Sequence, residues 1–307
     1  MMQRYTLSAG MQAFIERTRA FGVADPALAA QRAAYSRMAA AFTPPCPEGV
    51  QVRDLSAPGL APLRVFQPAQ SPPPAGWPAL LFMHGGGWML GGLDSHAFFC
   101  AELTARLGGL VVAVDYRLAP EHPFPAALHD SLAAWRALRD GALGVPVDPT
   151  RLVAIGDSAG GNLAAALCLA LREADEPQPR MQALIYPALG DEDSVSRREC
   201  ADAPLLSVAD MHACLNAYLP SNTHSPLALP LLACDLKGLA PAFIAVAEFD
   251  PLRDDGLRYA QRLGDDGVAA DYFPGYGLVH GCLRARGLPE VEALYEALFA
   301  ALKNSLD

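Results

Sequence analysis

The sequence predicts an α/β fold, a mostly parallel central sheet with helices on both faces and a small helical cap. Short β-like runs alternate with amphipathic helical stretches along most of the chain. Parallel pairing requires this alternation, because consecutive parallel strands need a crossover connection. Several runs, such as Leu110-Val111-Val112-Ala113-Val114, are apolar at every position, as strands covered on both faces are. The alternation breaks between Pro187 and Pro226, and an excursion of that length reads as a lid element more readily than as a plain loop.

In chain order, residues 11 to 42 read as helical. Leu28, Tyr35 and Phe42 recur at seven-residue steps with Met38 between them, and Asp25-Pro26 offers an N-cap followed by proline. Such an apolar stripe must cover something, and Pro44 to Pro47 closes it. The β-like runs follow at Leu63–Phe66, Ala79–Met83, Leu110–Val114, Leu152–Ile155, Ala183–Ile185, Ala242–Val246 and Ala269–Phe273. Amphipathic stretches Phe98–Leu107, Ala126–Leu138 and Leu252–Leu263 lie between them. Within the excursion, Ser207 with Asp210 three residues on marks a helix start. Val291, Leu294, Tyr295, Leu298, Phe299 and Leu302 form a closing helix packed on the sheet. The expected organisation is an N-terminal helical part of the cap over residues 1–45, a catalytic domain over 46–307, and a cap insertion at about 188–225.

A chain of 307 residues can bury the core of one such domain. Its formal charge of −10 opposes general attraction to nucleic acid or anionic membrane surfaces, so a neutral small molecule is the favoured ligand class. The seven cysteines are scattered without a CxxC pair, which reads as free thiols in a reducing cytoplasm, with no metal site expected. The first residues lack the pattern of a signal peptide. The longest apolar run, Leu163 to Leu171, is shorter than the about 20 residues that span a bilayer. A cytoplasmic protein without stable membrane insertion is expected.

The strongest chemical signal is Leu152-Val153-Ala154-Ile155-Gly156-Asp157-Ser158-Ala159-Gly160-Gly161. A β run meets Gly-x-Ser-x-Gly and passes straight into a helical run, the context in which that motif lifts a serine hydroxyl above a sheet. The helix N-terminus at Ala159 favours negative charge where a tetrahedral intermediate would form. The second signal is a strand running into His84-Gly85-Gly86-Gly87-Trp88. Consecutive glycines let the backbone approach a ligand with N–H groups facing inward, as an oxyanion hole demands. The expected donors are Ala159 N–H and two among Gly85, Gly86 and Gly87.

A serine hydroxyl needs a base oriented by a carboxylate, in the order Ser, Asp or Glu, His. His280 sits in a glycine-rich loop just after the last β run, and it is favoured over His224 in a polar lid-like loop. Asp250, at the end of the Phe243–Asp250 run with Pro251 next to open a helix, is favoured over Glu248 and Asp254.

Together HGGGW, Asp115-Tyr116-Arg117-Leu118-Ala119-Pro120-Glu121, GDSAGG, Glu248–Asp254 and His280-Gly281 resemble the hormone-sensitive-lipase family of bacterial esterases. The resemblance implies an α/β-hydrolase fold, a carboxylesterase acting on short acyl esters without a cofactor, a helical cap, and frequent homodimers. It also implies that His84 supports the glycine loop, that Asp157 backs the elbow, and that Tyr116 to Glu121 shapes and ion-pairs a structural loop. Cys282 departs from the pattern, since an aromatic residue is usual after His-Gly. His96, His122 and His129 read as surface or packing histidines. The rival functions are a receptor-like binder of small molecules and an amidase or thioesterase with the same triad.

Overall fold

The computed structural model describes residues 5–221 and 223–307. The first four residues of the expected cap part, and Asn222 in the His224 loop, lie outside the described residues. Eight strands form one sheet in the order β1-β2-β4-β3-β5-β6-β7-β8: β1 Val50–Leu55, β2 Leu63–Pro68, β3 Trp77–Met83, β4 Leu110–Val114, β5 Val147–Asp157, β6 Met181–Ile185, β7 Ala242–Ala245 and β8 Ala270–Phe273. β1 pairs antiparallel with β2 and β2 with β4, while the other neighbours are parallel.

Successive side chains point to opposite faces. Leu81 and Met83 of β3 therefore enter one apolar cluster and Leu80 and Phe82 the other. The first face is covered by α4 (Ala126–Arg139), α5 (Ala159–Glu173) and α8 (Arg253–Asp265) through Trp135, Leu163 and Leu263. The second is covered by α1 (Ala9–Arg19), α3 (Ala97–Leu107) and α9 (Pro289–Leu306) through Ile15, Phe99 and Leu298. Each such fully buried large side chain contributes about 1.5–3 kcal/mol. α2 (Leu28–Phe42), α6 (Val195–Glu199) and α7 (Val208–Tyr218) complete the named helices.

Three expectations shift. The helical region from residue 11 to 42 is two helices, and α2 begins at Leu28 without a side-chain cap. Asp25 instead accepts the Ala27 N–H at 2.9 Å, a local turn that uses its carboxylate before the helix starts. Strand β1 is additional: it is a largely exposed edge strand, so no apolar pattern betrays it. The β7 ladder stops at Ala245, five residues before Asp250, and α8 begins at Arg253 and not at Pro251. Asp250 itself supplies the reason, because its side chain accepts the Leu252 N–H at 2.8 Å and its carbonyl the Arg253 N–H at 3.1 Å. The capping box of Ser207 and Asp210 forms at the start of α7.

Candidate active site

Ser158 stands between the last residue of β5 and the first of α5, with φ 54° and ψ −118°. A non-glycine residue with positive φ is strained and persists only where its surroundings hold it. Here the Ser158 N–H donates to Ile185 O at 2.8 Å and its carbonyl accepts the Asn162 N–H at 3.0 Å. A Cβ at Gly160 would collide with the Met83 carbonyl, so that glycine permits helix and sheet to meet at this angle.

Beyond β7, the segment from Val246 to Asp250 runs beside the loop after β8. Glu248 N–H donates to Gly275 O at 3.1 Å and Phe249 N–H to Leu278 O at 3.0 Å, and Phe249 and Val279 form a parallel bridge. Each strand-like segment then ends on a polar residue, Asp250 on one and His280 on the other. Their side chains meet: His280 Nδ1 lies 2.7 Å from Asp250 Oδ2, and His280 Nε2 lies 2.9 Å from Ser158 Oγ. Asp250 is fully buried and Ser158 and His280 are nearly so.

The rivals lie apart. His224 is exposed and does not line the cavity beside Ser158. Glu248 accepts the Gly277 N–H at 2.7 Å, and Asp254 accepts the Ser196 N–H at 2.8 Å. Both carboxylates hold backbone.

The glycine loop separates into two roles. Gly85 donates its N–H to Asp157 Oδ1 at 2.8 Å and does not line the cavity. This corrects its candidacy as an oxyanion donor, since an N–H committed to a buried carboxylate is not offered to a ligand. The N–H groups of Gly86, Gly87 and Ala159 find no protein acceptor among the described residues, and all three residues line the cavity with Ser158. His84 lies behind the loop, with Nδ1 2.9 Å from Gly85 O and its ring stacked on Tyr116 at 4.3 Å. Burial, with His96 and Arg284 nearby, pushes its imidazole down to about 4, so the ring is neutral at ordinary pH. Burial alone would raise the Asp157 carboxyl, but His96, Arg284 and the Gly85 N–H outweigh it and hold the group at about 2.

The cavity encloses about 470 Å³ between this centre, α1, α2 and α7. α7 lies over the glycine loop: Tyr218 stacks on Trp88 at 4.2 Å, and the Cys214 thiol occupies the space a Cβ at Gly87 would need. α2 is tied to the same loop by Arg32, which donates to Met89 O at 2.9 Å and Ala119 O at 3.1 Å and pairs with Glu121 at 2.7 Å.

His122 and His129 are exposed. His96 is different: it is buried, with Nε2 3.3 Å from Asp157, so it belongs to the polar network behind the elbow. Tyr186, whose hydroxyl donates to Asp157 at 3.4 Å and whose ring lies 4.7 Å from that of His280, went unnoticed in the sequence, as did Arg284. Neither stands in a motif. Cys282 is fully buried among Val279, Leu283 and Tyr295, taking a packing position in the second apolar cluster.

A family model described as the alpha/beta hydrolase fold matches residues 80–284. The chain belongs to that family. This α/β-hydrolase-fold chain is 41% identical over 229 residues to the esterase LipI of Mycobacterium tuberculosis, covering 73% of this chain and 72% of LipI. It is 37% identical over 236 residues to an ethyl acetate hydrolase of Pseudomonas putida, covering 75% and 73% of the two chains. Among solved structures, a thermostable esterase from Pseudomonas putida ECU1011 superposes on the hydrolase-fold chain with a TM-score of 0.90 at 30% identity, covering 98% of each. These matches agree with the family resemblance carried by the five sequence motifs. No helix among the described residues is long and apolar enough to cross a membrane.

Proposed function

We propose that this protein is a carboxylesterase in which Ser158 is the nucleophile, His280 the general base and acid, and Asp250 the group that orients the imidazole. The observation that carries the reading is the unbroken relay at 2.7 and 2.9 Å beside a cavity with uncommitted N–H groups. His280 takes the Ser158 proton as the hydroxyl attacks the ester carbonyl. Gly86, Gly87 and Ala159, which line the cavity with N–H groups free of protein acceptors among the described residues, donate to the oxygen that becomes negative, and donors fixed in advance cost little reorganisation. The tetrahedral intermediate collapses as His280 protonates the leaving alcohol. Water then adds to the acyl-enzyme by the same relay, releasing the acid and restoring the serine. None of these steps calls for a cofactor.

The residues up to 45 and the insertion at about 188–225 are assigned to a cap that shapes the substrate cavity. The cavity's size suits a small ester and supports short acyl chains. A preference for palmitate over acetate in a series of nitrophenyl esters would overturn that assignment of chain length. A cytoplasmic location belongs to the same proposal. Ser158→Ala is expected to abolish hydrolysis of nitrophenyl acetate, with a loss of at least about a thousandfold, and to end labelling by a fluorophosphonate. Retained turnover in that variant would refute the triad.

A further inference from the structure

The described residues include two buried arginines, and they are treated differently. Arg197 pairs with Asp255 at 2.9 Å. Arg284 is 8% exposed and has no carboxylate within ion-pair distance among the described residues. Its Nη2 donates to the Tyr35 hydroxyl at 3.1 Å and lies 3.4 Å from His96 Nε2. Its guanidinium lies over the rings of Phe98 and Tyr35, at 5.2 and 5.7 Å from their centroids. Nη1 is buried without a partner. Burying a cation is costly unless it is paired, and a guanidinium presents a fork of donors that matches a carboxylate.

Arg284 lines the same cavity as Ser158, on the wall that also holds His280, Gly281 and Leu283. That wall has a defined chemical sense under the carboxylesterase reading above. The imidazole must give its proton to the leaving oxygen, so the alcohol half of the ester lies along the segment that begins at His280. The α7 residues that line the same cavity, Met211, Cys214 and Leu215, are apolar, and the one carboxylate α7 adds to the lining, Asp210, is held by Ser207. An anionic group in this cavity is thus favoured beside Arg284 and finds no lysine or arginine on α7.

We propose that Arg284 is a specificity residue that selects esters whose alcohol portion carries a carboxylate. Asp157, which feels the field of Arg284 without touching it, supplies the competing role of a mere countercharge, and the two roles make different demands on activity. The test compares kcat/KM for 4-acetoxybenzoate and its neutral isostere 4-acetoxybenzamide in the wild type, Arg284→Gln and Arg284→Lys. A charge-assisted pair predicts a preference of about tenfold for the benzoate in the wild type, lost in Arg284→Gln and partly kept in Arg284→Lys. The benzamide should change by less than about twofold throughout. Equal rates in the wild type, or an equal fall for both esters in Arg284→Gln, would overturn the proposal and leave Arg284 as countercharge to Asp157. If Arg284→Gln does not fold, wild-type inhibition decides: benzoate should compete with the ester more tightly than benzamide and weaken with added salt, whereas equal inhibition would reject the assignment. A wild type inert toward both esters would instead count against the carboxylesterase reading.

Discussion

His84 shows how far a residue's role depends on what surrounds it. In sequence it is one of seven histidines; in the fold it is buried, neutral and stacked on Tyr116 beneath the glycine loop. Its folded pKa of about 4 lies below the ordinary value of 6.5. The unfolded chain therefore takes up a proton as pH falls through 6.5, while the folded chain resists until about 4. The stability contributed by the neutral ring is complete above that window and lost on crossing it downward, by up to about 3 kcal/mol. Urea unfolding at pH 7.5 and 4.5 should show the wild type losing more stability than His84→Asn. Equal losses in the two proteins would contradict the depressed value. His280 and Asp250 stood out because the first lies in a glycine-rich loop just after the last β-like run and the second closes the Phe243–Asp250 run, in the chain order that the serine motif requires. Arg284 and His96 were not, because their meaning comes from Asp157, Tyr35 and Phe98, which reach them from other elements.

At the scale of elements, α7 and the glycine loop share one van der Waals surface. Gly87 has φ 60°, and the Cys214 thiol fills the space beside its Cα. Gly87→Ala should lower kcat/KM for nitrophenyl acetate by at least about tenfold, by straining the loop and displacing α7. Adding Cys214→Ala removes the colliding sulfur and should restore part of the activity; a double variant no better than the single one would argue against this contact. A second junction joins α6 to α8. Asp255 accepts the N–H groups of Leu189 and Gly190 at 3.0 and 2.9 Å and pairs with Arg197. Burial raises its carboxyl to about 6, against the pull of Arg197 and those N–H groups. Asp255→Ala leaves Arg197 buried and unpaired, and should cost about 3–5 kcal/mol in urea unfolding. A loss below about 1 kcal/mol would show that the surroundings relax around the stranded guanidinium.

At the scale of the molecule, the central strands were readable because both faces are buried and their inner stretches, such as Leu80–Met83, Leu110–Val114 and Leu152–Ile155, are apolar throughout. Seven β-like runs correspond to β2 through β8, six of them within two residues of the observed ends, while β5 starts earlier than its run, at Val147. What escaped, β1, is the part of the sheet least dependent on burial. The two segments that carry Asp250 and His280 were legible as neighbours of strands, but not as a pair extending beyond the ladder, because their pairing rests on the Phe249–Val279 bridge and on backbone bonds between Glu248 and Gly275. Side-chain spacing carries no trace of such bonds.

The helix α2 touches both jaws of the reaction centre. Arg32 grips the backbone at Met89, next to the amide donors, and Tyr35, three residues on and so on the same flank of the helix, grips Arg284 on the imidazole's loop. One rigid rod thus acts as a yoke. A displacement of α2 would therefore be felt at the glycine loop and at the Arg284 segment together, although the two lie far apart along the chain.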